Sequence, residues 1–449
     1  MTLVIEDCGH FAKAKVPFGI DLLDCHAVDS KRYPFLLESH GVSRSNDSFD
    51  ILFAFPGETI ELSNPKDVSF FSRFDQAFNQ DKQQNKTNVL PFTGGWFVFL
   101  SYELVGLIEQ KLSGIRKDGS LPLASAVRIP AAIIKSHKDQ TCWIVCESGQ
   151  EALIEQTWAD IQRLIKHEIS LPLVTLEEDN PKLFLDGVKK IKSYLLEGDT
   201  LQVNLSRQWK GSITDDSRYL DVYRSLRMHN PSPFAGLACY GDSVICSSSP
   251  ERLVKCTEDT VEMRPIAGTR PRDDDAAVDK SSAEELLLNS KENAEHIMLI
   301  DLIRNDLGRI CKTGTVTVDE KMAIESYAAV HHLVSNVSGK LIDNTTPSDV
   351  IKAVFPGGTI TGCPKVRCME IIHELEDSPR GAYTGSMGYI NRNGDLDLNI
   401  LIRTFTVKGQ ELSLRTGAGI VADSIAEREL EETRHKAKAL LAALNIYEA

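Results

Sequence analysis

Two pairs of glutamates are the residues whose types and spacing could do chemistry together. Glu292 and Glu295 stand three positions apart, and so do Glu429 and Glu432 much later in the chain. Residues at i and i+3 share a helix face, so each pair would project two carboxylates in one direction. If both helices flank one cavity, the hard oxygen donors would suit Mg²⁺. The spacing alone equally fits a solvated helix surface, because such pairs are common.

The elements that must position these glutamates follow from hydrophobic periodicity. Lys436 lies seven positions after Glu429 and shares its helix face. Helices are predicted at 154–165, 181–197, 283–307, 347–355, 365–375 and 427–445. Strands are predicted at 49–55, 96–100, 202–209, 243–248, 260–263, 385–390, 400–407 and 412–416. Because strands and helices mix without steady alternation, the pattern predicts an α+β fold rather than a doubly wound sheet.

Two regions are expected along the chain. Residues 1–175 are strand-rich, and residues 181–449 carry most of the predicted helices. The acidic stretch 172–180 has no periodicity and is interpreted as a linker between the two regions.

The composition is that of an acidic globular protein. The 449 residues include 50 Lys and Arg against 64 Asp and Glu, a net charge of -14. This balance argues against nucleic acid or an anionic membrane surface as a partner, since both need a basic footprint. Neither a signal peptide nor a run of about eighteen apolar residues is visible, so a cytoplasmic protein is expected. The ten cysteines form no CxxC pair and are expected to be reduced thiols.

Six local strings occur together in the second region: SPER at 249–252, RPIAGTR at 264–270, KENAEH at 291–296, DLIRND at 301–306, FPGGTITGCPK at 355–365 and GAGIVAD at 417–423. Together they closely resemble the chorismate-utilising enzymes, which include anthranilate, aminodeoxychorismate, isochorismate and salicylate synthases. The resemblance is dense from about residue 198 onward and thinner before it. It implies two β-sheets stacked face to face with helices outside, in one unit where the two regions interleave.

The resemblance also implies a magnesium site. Glu295 and Glu432 match the direct metal ligands of the family, and Glu292 and Glu429 match the carboxylates that hold metal-bound waters. Lys436 matches a cation that faces the metal end of the site.

Chorismate, the substrate that the resemblance implies, carries a ring carboxylate and an enolpyruvyl carboxylate. Two carboxylates require positive charge and oriented N–H donors. For the second carboxylate the resemblance points to Tyr383 and Arg403, with the backbone amides around Gly417, Ala418 and Gly419. By itself, this Gly-Ala-Gly string would instead be interpreted as a tight turn or a bulge in a strand.

The C4 hydroxyl of chorismate must leave, and a general acid should protonate it. Glu251 matches the candidate acid of the family, and it must be held protonated to serve. His332 matches a second residue near the hydroxyl, although a histidine in an apolar stretch is also typical of a packed core. Thr269 and Thr359 match hydroxyls that bind the substrate.

Gln202 identifies the expected nucleophile. Isochorismate and salicylate synthases carry a lysine at this position, which deprotonates water. A glutamine cannot act as a base, whereas ammonia needs none, so ammonia is the expected nucleophile. The sequence contains no recognisable glutaminase segment, which predicts a heterodimer with a separate glutamine amidotransferase subunit.

Two products remain open. Ala267 stands where many aminodeoxychorismate synthases carry a nucleophilic lysine, so a covalent lysine route is excluded, as in anthranilate synthases. The strings FDILFAFP at 49–56 and LPFTGG at 90–95 resemble sequences of the aminodeoxychorismate synthases. They favour 4-amino-4-deoxychorismate, the precursor of p-aminobenzoate and folate.

The alternative product is anthranilate, released with pyruvate. LLES at 36–39 resembles the tryptophan-binding string of anthranilate synthase, so tryptophan is a candidate ligand of the N-terminal region. A non-catalytic chorismate- or tryptophan-binding regulator on the same fold is a third option.

Overall fold

The structure is a computed structural model that describes residues 3–40, 48–84, 90–117, 119–164, 174–214, 218–273, 275–326 and 330–444. Its α-helices are α1 (Leu22–Val28), α2 (Phe70–Asp81), α3 (Val105–Ile108), α4 (Ala152–Ile161), α5 (Pro181–Leu196), α6 (Tyr219–His229), α7 (Ala276–Leu288), α8 (Ser290–Gly308), α9 (Pro347–Val354), α10 (Lys365–Leu375) and α11 (Ala426–Ala443). Short 3₁₀ helices cover Tyr102–Leu104 and Gln110–Leu112.

The strands are β1 (Ile5–Asp7), β2 (Phe11–Val16), β3 (Phe35–Glu38), β4 (Phe49–Ala54), β5 (Thr59–Leu62), β6 (Gly95–Leu100), β7 (Ala124–Ile129), β8 (Ala131–Ser136), β9 (Thr141–Glu147), β10 (Val174–Glu178), β11 (Gln202–Ile213), β12 (Phe234–Tyr240), β13 (Ser243–Ser249), β14 (Arg252–Thr257), β15 (Thr260–Met263), β16 (Ile266–Pro271), β17 (Thr317–Ser326), β18 (Val330–Lys340), β19 (Gly362–Cys363), β20 (Ser386–Asn391), β21 (Leu396–Asn399), β22 (Thr404–Lys408) and β23 (Glu411–Ile420).

The described strands form two antiparallel sheets. The larger runs β1-β2-β9-β8-β4-β3-β12-β13-β22-β23-β11-β10, and β19 pairs with β11. The smaller runs β16-β18-β15-β14-β21-β20-β6-β7-β5, and β17 pairs with β18. Each sheet takes strands from both the first and the second region of the chain.

An aromatic core joins the two sheets. Phe35 of the larger sheet stacks on Phe97 of the smaller sheet, with ring centroids 4.1 Å apart, and Phe53 meets Phe97 edge-on at 5.2 Å. All of Gly95–Leu100 is buried, because this central strand has the other sheet on one face and helices on the other. The prediction of two stacked sheets is confirmed.

Helices cover the outer face of each sheet. Apolar residues of α1, α4, α6 and α11 pack with the larger sheet in one cluster. A second cluster combines α2, α8 and α9 with the smaller sheet, and it also includes α5 and α10, which lie against β11 of the larger sheet. Local signals set some helix starts. Pro181 opens α5 behind the Asn180 cap, and Thr346 forms a capping box with Asp349 at the start of α9.

Three sequence predictions about elements are wrong. Within the expected linker 172–180, Val174–Glu178 forms an edge strand, with Val174 opposite Ile213 and Glu178 opposite Trp209. The single helix predicted at 283–307 is divided between α7 and α8, because Asn289 takes an extended conformation. The strand predicted at 400–407 begins only at Thr404, since Arg403 has a left-handed backbone with φ of 51°.

Two further observations concern membranes and cysteines. No helix among the described residues is both long enough and apolar enough to span a bilayer. All ten cysteines are free thiols, as the sequence predicted.

Candidate active site

The antiparallel pairing of β11 with β23 forms the centre of the site. Asn204 lies opposite Gly419, so the two residues share a sheet face with Gln202 and Gly417. A Cβ on Gly419 would lie 2.3 Å from Gln202 Nε2, and a Cβ on Gly417 would lie 2.6 Å from Asn204 Oδ1. A Cβ at Gly417 would also lie 2.8 Å from the carbonyl oxygen of Leu205, so this position requires glycine. At Gly419 the side chain of Gln202 would have to move. Ala418 points to the opposite face and is fully buried in the core, so only its backbone could serve a ligand.

Both glutamate-bearing helices reach this pair of strands. Gln202 Nε2 donates a 2.8 Å hydrogen bond to Glu295 Oε1 of α8. On α11, Lys436 Nζ lies 2.7 Å from Glu432 Oε1 and donates to the carbonyl oxygen of Gly417 at 3.0 Å. Glu295 and Glu432 are thus tied to neighbouring points of one ladder, although they are remote in sequence.

Glu292 lies beside the strand that carries the string at 264–270. Arg270 Nη1 donates to Glu292 Oε1 at 2.9 Å, a contact that sequence reasoning did not predict. Gly268 has φ of 65°, and a Cβ there would lie 2.6 Å from Glu292 Oε2. That oxygen is buried and has no hydrogen-bond partner among the described residues. The side chain of Thr269, one of the predicted substrate ligands, lies outside the described part of the chain.

The four glutamates are not gathered at coordination distance from one point. Within the described residues, the one group of three or more potential ligands whose atoms all lie within 4.8 Å of one another is Glu38, His40 and Asp50, in a different place. Glu432 is half-exposed and Glu429 lies in the first turn of α11. The donor set still fits a hard cation, because it consists of carboxylates and includes the orphaned oxygen of Glu292.

Glu251 has the properties of a buried acid. It stands between β13 and β14 and is 8% exposed. Burial raises its pKa to about 7, although a hydrogen bond from Thr359 and the charges of Lys436 and Arg403 act in the opposite direction. Thr359 Oγ1 donates to Glu251 Oε1 at 2.7 Å. The carboxyl group is therefore substantially protonated near neutral pH.

His332 is a neutral imidazole at physiological pH. It lies in β18 opposite Thr269 of β16, and burial followed by the charge of Arg403 lowers its pKa to about 4. It can exchange a hydrogen bond with a ligand but cannot serve as a cationic acid. Ala267, which precedes Gly268, is buried opposite Leu333 and offers only a methyl group.

Tyr383 lies beside Gly417 of the ladder, whereas Arg403 acts electrostatically on Glu251 and donates to Asn230 Oδ1 at 3.4 Å. The hydroxyl of Tyr383 would be 2.8 Å from a Cβ on Gly417. The guanidinium of Arg403 is buried, which lowers its pKa, while the charge of Glu251 acts to raise it. The phenol of Tyr383, the guanidinium of Arg403 and the backbone at Gly417 are groups that can bind a carboxylate.

A buried ion network supports this side of the site, and sequence reasoning did not identify it. Arg380 forms two hydrogen bonds with Glu376, at 2.9 and 2.7 Å, and Arg415 forms a third at 3.1 Å. Burial would raise the pKa of Glu376, but the two guanidinium groups outweigh it and lower that pKa. Arg380 also lies 5.6 Å from the ring centroid of Tyr383 and donates to the carbonyl oxygen of Asn204 at 2.8 Å.

A separate cavity of about 310 Å³ adjoins the string at 36–39. Leu37, Glu38 and Ser39 line it, together with Pro233 and Met387. None of the catalytic, substrate-binding or metal-binding candidates is among its lining residues.

The sequence profile of the family described as chorismate binding enzyme matches residues 34–442. The chain belongs to this family. The fold and the conjunction of Glu251, Gln202 and Glu295 in one place are consistent with that assignment.

Similar proteins of this family carry names for both products. An anthranilate synthase component I-like protein of Synechocystis sp. is 43% identical over 390 residues, covering 85% of this chain and 80% of that protein. An aminodeoxychorismate synthase component 1 of Bacillus subtilis is 40% identical over 378 residues, covering 80% and 78%. The crystal structure of anthranilate synthase component I from Streptococcus pneumoniae superposes with a TM-score of 0.77 at 32% identity, covering 89% of this chain and 93% of that one. This chain is a chorismate-utilising enzyme.

We expect Glu376→Gln to destabilise the protein by about 3–5 kcal/mol, because it leaves two buried guanidinium groups without a counter-charge. Urea unfolding at pH 7 measures this loss. Glu374→Gln, two residues earlier, is the matched control, since exposed Glu374 accepts from Tyr194 alone among the described residues and an amide oxygen can replace it. Equal stability of the two variants would contradict a structural role for the network.

Proposed function

We propose that this enzyme converts chorismate and ammonia to 4-amino-4-deoxychorismate, with Mg²⁺ as cofactor and a glutamine amidotransferase as the source of ammonia. The observation that carries the proposal is Gln202. It is buried, it contacts Glu295 at the expected metal end, and it stands where the water-using branch of the family carries a basic lysine. An amide cannot activate water, so the nucleophile must arrive already reactive.

The reaction proposed begins with attack of ammonia at C2. The C4–O bond breaks in the same step, and protonated Glu251 gives its proton to the departing oxygen, which leaves as water. The product is 2-amino-2-deoxyisochorismate. A second ammonia then attacks C4 while the C2–N bond breaks and the ring double bonds shift back. The first amine leaves as ammonia, with the proton that the new C4 amine gives up. Ala267 cannot form a covalent intermediate, so both additions use free ammonia.

The chain's own residues would hold the two carboxylates at opposite ends of this ladder. Tyr383, Arg403 and the backbone at Gly417 would bind the enolpyruvyl carboxylate. Thr359 orders the acid by its hydrogen bond to Glu251. Neutral His332 would offer a hydrogen bond near the C4 hydroxyl.

Mg²⁺ would be held directly by Glu295 and Glu432, and through its waters by Glu292 and Glu429. When bound, it supplies a Lewis acid for the ring carboxylate. The hydrogen bond from Gln202 to Glu295 fixes one carboxylate oxygen, and the other oxygen would be the one available to the ion. Lys436 balances the charge of Glu432.

Anthranilate is the second candidate product, formed when the same aminated intermediate loses pyruvate. The specific observation in its favour is the cavity beside residues 36–39. The string that resembles a tryptophan-binding sequence lines this cavity together with Pro233 and Met387. The Bacillus subtilis relative supports the first candidate, and the Synechocystis relative supports this one.

The product assay distinguishes the two candidates. The purified chain is given chorismate, Mg²⁺ and ammonium at alkaline pH, and the products are identified by mass spectrometry. We expect 4-amino-4-deoxychorismate, which an added lyase converts to p-aminobenzoate, and no consumption of chorismate without ammonium. Anthranilate with pyruvate would instead establish the second candidate.

We expect Glu251→Gln to reduce turnover at least about 100-fold, because it removes the proton donor. The same variant should be more stable than the wild type at pH 8. The folded carboxyl has its pKa raised from 4.5 to about 7, so it binds its proton more tightly than the unfolded chain does. Stability is therefore lost as the pH rises from about 4.5 through about 7, and the variant avoids a loss of roughly 2–4 kcal/mol.

Urea unfolding of the wild type and this variant at pH 4 and pH 8 measures the stability difference. Glu58→Gln is the control, since Glu58 is exposed and should give no pH-dependent difference. A wild type as stable as Glu251→Gln at pH 8 would contradict the buried acid, and unchanged turnover would remove Glu251 from the mechanism.

A further inference from the structure

Two amide oxygens on one face of β11 have no hydrogen-bond partner among the described residues. They are Oε1 of Gln202, whose residue is 6% exposed, and Oδ1 of half-buried Asn204. Residues two apart in a strand project to the same side, so both side chains lie on the face that carries Gly417 and Gly419. Asn204 Oδ1 lies next to Gly417, and the amide group of Gln202 lies next to Gly419. A buried acceptor without a donor costs about 1–3 kcal/mol, so such groups usually serve a ligand or water.

The contacts of the two amide nitrogens show which atom of each amide group remains available to a ligand. Gln202 Nε2 donates to Glu295 Oε1 at 2.8 Å, and Asn204 Nδ2 donates to the carbonyl oxygen of Thr359 at 3.4 Å. Each nitrogen faces an acceptor, so the oxygen of each amide is the end available to an incoming donor.

The substrate does not supply enough donors for these oxygens. With both carboxylates ionised, chorismate has one N–H or O–H donor, the C4 hydroxyl, and Glu251 is assigned to that group. The two oxygens must therefore accept from a different species in the same site. Ammonia has three N–H donors and one lone pair, which matches two acceptors and leaves the lone pair for attack.

We propose that Gln202 Oε1 and Asn204 Oδ1 form the binding site for the ammonia nucleophile. This inference rests on the proposed function and adds the residues that hold its second substrate. Two N–H groups of ammonia donate to the two oxygens, and its lone pair faces the substrate ring. Water can occupy the same acceptors, but it stays unreactive because neither amide oxygen takes up a proton.

The two residues play unequal parts. Gln202 also orients Glu295, so its replacement affects the metal end as well. Asn204 contacts neither glutamate pair in the described residues, and its oxygen lies where a Cβ on Gly417 would be, near the hydroxyl of Tyr383. Asn204 is therefore the cleaner probe of ammonia binding.

The test compares wild type, Gln202→Met and Asn204→Leu in steady-state amination of chorismate at fixed pH and saturating Mg²⁺. Ammonium is varied at saturating chorismate, and chorismate is varied at saturating ammonium. We expect the KM for ammonium to rise about fivefold or more in each variant, the loss from one hydrogen bond. The KM for chorismate in Asn204→Leu should change less than about twofold, which a general structural defect would not permit. If Asn204→Leu does not fold, Asn204→Ala removes the same oxygen with less bulk.

Gln208→Met is the matched control. Gln208 lies on the same strand and the same face, but its oxygen accepts from Ser378 at 3.2 Å, away from the site. It should leave both KM values unchanged. Folded Asn204 and Gln202 variants with a wild-type KM for ammonium would overturn the inference, and so would equal rises in both KM values. A wild type that makes no aminated product would overturn the proposed function as well, so the two failures are distinguishable.

Discussion

The pairing of Gln202–Ile213 with Glu411–Ile420 is the constraint on which the site depends. The polar face of the first strand carries Gln202 and Asn204, and the second strand has glycine at 417 and 419. The side chains of Gln202 and Asn204 occupy the space that Cβ atoms at 417 and 419 would fill. Helices from two distant parts of the chain then attach to this ladder, one through Gln202 and the other through Lys436. A shift of one residue in the register would turn the polar residues to the core.

Electrostatic placement explains how an acidic protein can bind a dianion. The net charge of -14 is distributed over the whole chain, but buried cations are concentrated beneath the carboxylate side of the site. Arg380 and Arg415 share the carboxylate of Glu376, and Arg380 lies 5.6 Å from the ring centroid of Tyr383. Buried Glu103 lies beside them and accepts from the backbone N–H groups of Arg380 and Gly381. At the expected metal end, the buried oxygen Oε2 of Glu292 has no hydrogen-bond partner among the described residues, which favours binding of a cation there. The same low-dielectric surroundings raise the pKa of Glu251 to about 7 and lower the pKa of His332 to about 4.

The sequence predicted the fold class, most helices and the residues of the ladder, because each of these has a local pattern. It failed where tertiary contacts decide the outcome. Val174–Glu178 is a short edge strand paired on one side only, and its two apolar residues, Val174 and Leu176, are too few to stand out in an acidic stretch. Arg403 interrupts the strand predicted at 400–407 because its backbone is left-handed. The network of Glu376, Arg380 and Arg415 joins separated segments, so no spacing predicts it. Arg270 belongs to the string RPIAGTR at 264–270, but the sequence alone did not predict its contact with Glu292.

The central claim is that the two glutamate pairs serve one divalent ion. Electron paramagnetic resonance of Mn²⁺, used in place of Mg²⁺ with chorismate present, measures it directly. The account predicts a single bound Mn²⁺ per chain, with affinity reduced about 10-fold or more in both Glu295→Gln and Glu432→Gln. Glu431→Gln, an exposed neighbour that pairs with Arg434, should bind Mn²⁺ as the wild type does. Wild-type affinity and spectra in both the Glu295 and Glu432 variants would contradict the account.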